Sequence, residues 1–203
     1  MSEKIARGIS YIFHPVLIPF YVLLLLLNLN SLFSLMVPHS FKLVLLGIVF
    51  LTTVLFPLIL TFLMYRIKII ASFYLENKEE RIFPILCIAV FYYLTYYLLK
   101  SVRLASFFSY YMLGVALLAI IAMVITFYRK ISLHMLGMGS LTGLFLGLSL
   151  NFGLHFLNLF FAGVLFSGLV GFARLKTNAH KPSEVYSGFL VGVIVLSVLT
   201  GLL

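Results

Sequence analysis

The feature that most constrains this chain is a succession of apolar runs, separated by short clusters of charged and turn-forming residues. A helix needs about 20 apolar residues to cross a hydrocarbon core, and a bilayer offers no water to open strand edges. We therefore predict an all-α, polytopic integral membrane helical bundle of six to seven transmembrane helices, in one domain over residues 1–203. The candidate spans are residues 14–37, 41–65, 84–100, 107–128, 133–150, 155–172 and 184–203.

The sequence constrains how individual spans cross the membrane to different degrees. The third and fifth are short enough to be tilted or partly re-entrant, whereas the four-residue link 151–154 requires spans five and six to form an antiparallel hairpin. The first span follows Lys4 and Arg7, as a signal peptide would, but it is too long for a typical signal peptide and has no small-residue cleavage site. We interpret it as a retained first helix.

The composition excludes water-soluble proteins and several kinds of catalytic site. Hydrophobic residues make up 64% of the chain and charged residues 9%, whereas soluble domains carry about 25% charged residues. All five acidic residues are glutamates, which removes aspartate-based phosphatases, Asp-rich two-metal sites and calcium loops. The single cysteine, Cys87, is followed six residues later by Tyr93, so a Cys-x5-Arg thiol phosphatase is also excluded. We expect neither a metal nor a cofactor.

The positive charge is concentrated on one membrane face. With seven spans, the N-terminus and the loops at 66–83, 129–133 and 173–183 lie on the same side, and this side holds every lysine and arginine except Lys42, Lys100 and Arg103. The positive-inside rule predicts that this face is cytoplasmic. The same rule accounts for many of these charges without any functional role.

Three polar segments on that face, at 77–84, 130–137 and 173–188, each precede a span. Each therefore directs helix N-terminal amides and the positive end of a helix dipole to the same membrane face, an arrangement that suits an anion. Ionisable groups at the mouth of an apolar bundle are costly and are usually functional. These segments are the candidate functional site.

The last segment carries Arg174, His180 and Glu184. Pro182 suits a first helical turn, so Glu184 can reach back to a ring nitrogen of His180. A carboxylate in that position fixes the imidazole tautomer and raises its basicity, as a histidine nucleophile or base requires. The alternative is a lone interfacial histidine followed by a glutamate at a helix start.

The middle segment carries Lys130, Ser132 and His134. A histidine at a span start suits a general acid for a leaving alkoxide, while the serine hydroxyl and nearby amides suit phosphate oxygens. His14, His39 and His155 are also interfacial, but none has a matching arginine or glutamate pattern.

Together these residues resemble the three-part signature of the type 2 phosphatidic acid phosphatase superfamily, K-x6-R-P, P-S-G-H and S-R-x5-H-x3-D. Arg174-x5-His180-x3-Glu184 matches the third motif with Ala173 for serine and glutamate for aspartate. Only Ser132 and His134 carry over to the second motif. The first motif is degenerate, with Arg81 and Pro84 separated and either Lys78 or Lys130 as its lysine.

The resemblance implies a metal-independent lipid phosphatase of the bacterial inner membrane that works through a phosphohistidine. By resemblance His180 is the nucleophile, His134 protonates the leaving group and Glu184 orients His180. The phosphate would be bound by Arg174, Arg81 and Lys78 or Lys130, with Ser132 assisting. Phosphatidic acid, phosphatidylglycerophosphate and polyprenyl pyrophosphates all fit as substrates.

Glycine spacing predicts how the motifs meet. Gly139, Gly143 and Gly147 repeat every four residues on span five, and Gly188 and Gly192 do so on span seven, the pattern by which membrane helices approach closely. We expect spans five and seven to pack together and bring His134 near His180. The alternative is that these stripes face other helices.

Two rivals to the phosphatase remain, an anion or lipid transporter and a catalytically inactive member of the same superfamily. Against transport, the sequence has no convincing internal repeat and only isolated serines and threonines at mid-span. The tyrosines flanking Lys100 and Arg103 indicate an aromatic belt, and these two cations are too few for nucleic acid. The expected partners are therefore a lipid phosphate and membrane lipids, with no nucleic acid.

Overall fold

A computed structural model describes residues 2–29, 32–72, 77–102, 106–153 and 156–202. Every regular element in these ranges is helical, and seven helical runs are long and apolar enough to cross a bilayer. The predicted all-α membrane bundle is confirmed, and the chain is a multi-pass membrane protein. The helices are α1 (Glu3–Ile12), α2 (Ile18–Asn28), α3 (Leu32–Leu35), α4 (His39–Phe50), α5 (Phe56–Arg66), α6 (Lys78–Lys100), α7 (Ser106–Tyr128), α8 (Leu133–Phe152), α9 (Leu157–Lys176) and α10 (Pro182–Gly201).

The chain divides into two compact units. The first comprises Met1–Ile18 with Lys130–Leu203, and the second comprises Pro19–Arg129. The expectation of one domain over the whole chain stays a prediction, and each unit is described by itself.

The first unit is built around α8. The starts of α8 and α10 are joined by the Ser132 amide, which donates to the Glu184 carbonyl at 3.2 Å. Their ends are joined by the Asn151 side-chain amide, which donates to the Thr200 carbonyl at 2.9 Å. Since start meets start and end meets end, α8 and α10 are parallel.

The glycine stripes form the contact between α8 and α10. Gly139 lies against the Phe189 backbone, Gly143 against Val193 and Gly192 against the Leu136 carbonyl. Gly188 is so close to α8 that an added Cβ would lie 2.7 Å from the Ser132 carbonyl oxygen. The prediction that spans five and seven pack through these residues is confirmed.

Helix α9 runs antiparallel to α8. Near the end of α9, a Cβ on Gly171 would lie 3.5 Å from the Met135 side chain at the start of α8, and at mid-helix the hydroxyls of Thr142 and Ser167 are 3.3 Å apart. The hairpin predicted for spans five and six is therefore present. Residues 154 and 155, including His155, lie outside the described residues. The outer face of α9 exposes Leu165, Phe161 and Phe172, as a lipid-facing helix does.

We expect that replacing Gly143 by alanine destabilises this unit. A Cβ there would lie 2.8 Å from the Val193 Cα and closer still to its carbonyl oxygen, so two backbones must separate. Forced overpacking of this kind costs about 1–3 kcal/mol. The measurement is thermal unfolding of the purified protein in detergent. Gly168→Ala is the matched control, because nothing lies within 4 Å of its added Cβ; equal stability of the two variants would contradict the prediction.

The second unit contains α2 to α7, with α6 packed along α7. A turn of π-helix, Leu51–Leu55, separates α4 from α5 and precedes Pro57, whose ring cannot fit behind a regular helical carbonyl. The buried Thr95 hydroxyl donates to the Thr52 hydroxyl at 2.7 Å, which joins this turn to α6. Two buried threonines therefore form a polar contact within this unit.

Three sequence expectations about the spans are corrected. The first span covers Glu3–Asn28 and not 14–37, because Lys4 and Arg7 lie on the exposed side of α1 and do not prevent a helix. The third span begins earlier than expected, since α6 starts at Lys78 and continues through Pro84. At 23 and 20 residues, α6 and α8 are continuous helices, so neither is re-entrant.

Candidate functional site

The turn between α9 and α10 explains the spacing of the last motif. Arg174 lies in the last turn of α9 and not in the loop where the sequence placed it. Asn178 adopts a left-handed conformation, with φ 51°, which an asparagine tolerates better than most residues. The Ala179 amide donates to the Arg174 carbonyl at 3.2 Å. Within six residues, this closed turn brings His180 back beside the end of α9.

His180 and Glu184 form a hydrogen-bonded pair at the start of α10. Pro182 is the first residue of α10, as the sequence predicted, and this places Glu184 in the first turn. The distance from His180 Nδ1 to Glu184 Oε2 is 2.6 Å, and the two side chains are 3% and 16% exposed. With Nδ1–H donating to the carboxylate, the basic lone pair of the His180 ring is on Nε2, the nitrogen that a nucleophile or base would use.

Ser132 and His134 lie at the start of α8, beside this pair. Ser132 is the N-cap residue but makes no side-chain cap hydrogen bond, and its fully buried hydroxyl oxygen has no partner among the described residues. Buried polar atoms are rarely left unpaired. The backbone hydrogen bond from Ser132 to the Glu184 carbonyl joins the second and third motifs directly.

The His134 ring is held by α1. At the end of α1, the Phe13 amide donates to the Ile9 carbonyl and the His14 amide donates to the Tyr11 carbonyl. The Ser10 carbonyl between them can therefore accept a hydrogen bond from another part of the chain. His134 Nε2 lies 3.1 Å from that carbonyl oxygen. Since a carbonyl only accepts, Nε2–H is the donor, and Nδ1 is the nitrogen of His134 left for chemistry.

The cluster brings one arginine and two histidines together at the helix starts. Both Arg174 and His180 lie close enough to His134 to interact with it electrostatically. The cluster thus combines one guanidinium and two histidines with the single carboxylate of Glu184. The amide ends of α8 and α10 add partial positive charge on the same side.

The remaining predicted site residues lie at different places. Lys130 is half-buried and precedes Ser132 in the first unit. Lys78 and Arg81 belong to the second unit, in the first turn of α6. Arg81 is only 7% exposed. The carboxylate of neighbouring Glu80 accepts hydrogen bonds from the Ala71 amide and the Asn77 side-chain amide. Phosphate binding by Lys78, Arg81 and Lys130 stays a prediction.

The structure adds one residue that the sequence analysis set aside. The rings of His14 and His134 meet edge to face with their centroids 5.3 Å apart. The sequence signal that could have revealed this is the His14–Pro15 pair, because the residue before a proline is driven out of helical geometry and ends α1 there.

Among the described residues, no group of three or more His, Cys, Asp or Glu side chains is arranged to hold a metal ion. In comparisons with known proteins, no family model, curated protein or solved structure matches this chain.

Proposed function

We propose that this protein is an integral membrane phosphatase that hydrolyses a phosphomonoester or pyrophosphate of a lipid. The observation that carries the proposal is the 2.6 Å pair of His180 and Glu184, placed beside His134 and Arg174 where two parallel helices begin. A histidine with one nitrogen held by a carboxylate has its other nitrogen ready for attack. The resemblance to the type 2 phosphatidic acid phosphatases gives the same roles to these residues.

In the proposed reaction, the Nε2 lone pair of His180 attacks phosphorus while the bond from phosphorus to the lipid oxygen breaks. His134 enters this step as the imidazolium, with Nε2–H bonded to the Ser10 carbonyl and a second proton on Nδ1 that the negative charge of the bound phosphate stabilises. The lipid oxygen leaves and takes that Nδ1 proton, which makes His134 neutral. Water then attacks phosphorus while the N–P bond to His180 breaks and the electron pair returns to Nε2. Nδ1 of neutral His134 takes a proton from that water, which restores the imidazolium as inorganic phosphate leaves. Glu184 stabilises the positive charge on His180 while the N–P bond exists.

The phosphate oxygens would be bound by Arg174, the Ser132 hydroxyl and the amides at the start of α8. An unpaired buried hydroxyl costs about 1–3 kcal/mol, and a phosphate oxygen would supply its missing partner. Arginine presents a planar fork of N–H donors that suits phosphate. Lys78, Arg81 and Lys130 are proposed as further phosphate ligands.

The substrate is proposed to be an amphiphile with its phosphate at the interface and its tails in lipid. The cluster lies at the helix starts, and the outer faces of α9 and α10 expose large apolar side chains. Phosphatidic acid, phosphatidylglycerophosphate and polyprenyl pyrophosphates share this chemistry. We propose the bacterial inner membrane as the location, with the motif face cytoplasmic, as the lysine and arginine distribution favours.

Purified full-length protein in detergent is expected to release inorganic phosphate from one or more of these lipids, with glycerol phosphate as a soluble comparison substrate. Because the proposed nucleophile and acid are histidines and no step uses a metal, we expect a chelator to leave turnover unchanged. Phosphate release with and without chelator is the measurement. An obligatory need for magnesium or zinc would contradict the mechanism. If a folded preparation released no phosphate from any lipid in the panel, the transporter and the inactive member would be favoured.

A further inference from the structure

His14 lies at the bend between α1 and α2, outside every motif discussed above. It is the N-cap of a short 3-10 turn, Pro15–Leu17, and the Val16 amide donates to His14 Nδ1 at 3.4 Å. A nitrogen that accepts a hydrogen bond carries no proton, so a neutral His14 holds its proton on Nε2. The backbone therefore fixes His14 as a donor through Nε2.

The bend that contains His14 packs closely against α8. A Cβ added to Gly137 would lie 3.2 Å from Ile18 and 3.4 Å from Pro15, so a larger residue at 137 would push this turn away. Next to His14, Phe13 packs against Phe166 of α9, with the two rings tilted and their centroids 5.4 Å apart. The position of His14 is thus set by contacts with two helices of the same unit.

His14 shares its surroundings with the proposed reaction centre. Its ring meets that of His134 edge to face, and Arg174 lies within electrostatic reach of both histidines. Among the described residues, the His14 side chain has one hydrogen bond, at Nδ1. A fixed N–H donor beside a guanidinium and a second histidine is a typical element of an anion-binding pocket.

We propose that His14 is a further substrate-binding residue, whose Nε2–H donates to an oxygen of the bound phosphate. The inference rests on the proposed function in taking the anion to be the substrate's phosphate. It makes the site a cluster of three histidines, one arginine and one carboxylate, with contributions from the α1–α2 bend and from α8, α9 and α10. It also gives the first span a role in binding, which the three-motif resemblance does not include.

The test is a titration of the full chain in detergent micelles with inorganic phosphate, read by NMR on ¹⁵N-labelled histidine side chains. This readout needs no turnover. We expect the His14 Nε2 signal to shift with the same midpoint as the His180 signals. In His14→Asn the side-chain oxygen still accepts from the Val16 amide, but the Nε2 donor is gone. We expect the phosphate midpoint, read on His180, to rise about ten- to hundredfold, as for the loss of one hydrogen bond to a charged group.

Two further variants test whether the effect on phosphate binding is due to the missing Nε2–H donor of His14. His14→Gln places an amide donor near the position of Nε2, so its phosphate midpoint is expected within about threefold of the unmodified protein. His39→Asn changes an exposed histidine of the second unit and should leave the midpoint unaltered. His180 signals that move while His14 stays still, or an unchanged midpoint in folded His14→Asn, would overturn the inference and leave the proposed function standing. If no histidine signal moves, the inference also fails, and the phosphate-release assay decides the proposed function separately.

Discussion

Replacing His180 by alanine is expected to lower lipid phosphate hydrolysis on the order of 10⁴-fold or more, because the variant lacks the attacking nitrogen. No phosphoenzyme should form with any substrate. The measurement is phosphate release, together with trapping of ³²P on the protein by rapid quenching at alkaline pH, where a phosphohistidine survives. The contact between α8 and α10 consists largely of glycine backbones farther along both helices, at Gly139, Gly143 and Gly192, so the helix packing should persist.

Two variants accompany this experiment. Glu184→Gln keeps an oxygen that can accept from His180 Nδ1–H but removes the negative charge, so its loss should be smaller than that of His180→Ala and phosphoenzyme should still form slowly. His39→Ala removes an exposed histidine of the second unit and should keep full activity. Near-normal turnover of folded His180→Ala would contradict the site assignment and favour a transporter.

The parts of this site that could be predicted from sequence depend on short-range geometry. Pro182 begins α10, so Glu184 lies in the first turn and can reach back to His180 just before the helix, and the structure has that contact. The glycine spacing is a local signal too. A glycine every four residues makes a flat helix face on which another backbone can lie, as the contacts of Gly139, Gly143 and Gly192 show. These two patterns were sufficient to predict that α8 and α10 bring the second and third motifs together.

The contribution of the first span could not be predicted in this way. The contact between His134 and the Ser10 carbonyl joins residues 124 positions apart. It depends on how α1 ends and on where the bend at Pro15 lies against Gly137. The positions of charged residues do not show where the first span begins. In a hydropathy pattern Lys4 and Arg7 indicate the end of an apolar run, but an amphipathic helix accommodates both on its exposed side. For the same reason the first span was placed too late in the chain.

The second large effect is expected at His134, and its size should depend on the leaving group. A lipid alkoxide is a poor leaving group that needs a proton, so removing the acid should lower its hydrolysis about 10²–10⁴-fold. An activated aryl phosphate leaves as a stabilised anion and needs no proton, so its hydrolysis should fall far less. The variant of choice is His134→Gln, whose side-chain amide can still donate to the Ser10 carbonyl and so preserve the α1 contact.

The comparison of the two substrates separates an acid from a residue that only supports the fold. If His134 merely held α1 in place, His134→Gln would affect both substrates equally, or neither. If His134 were the nucleophile in place of His180, the aryl phosphate would be lost along with the lipid, and no phosphoenzyme would form. Only proton donation to the leaving oxygen predicts a large loss on the lipid, a small one on the aryl phosphate and continued formation of phosphohistidine from the aryl substrate.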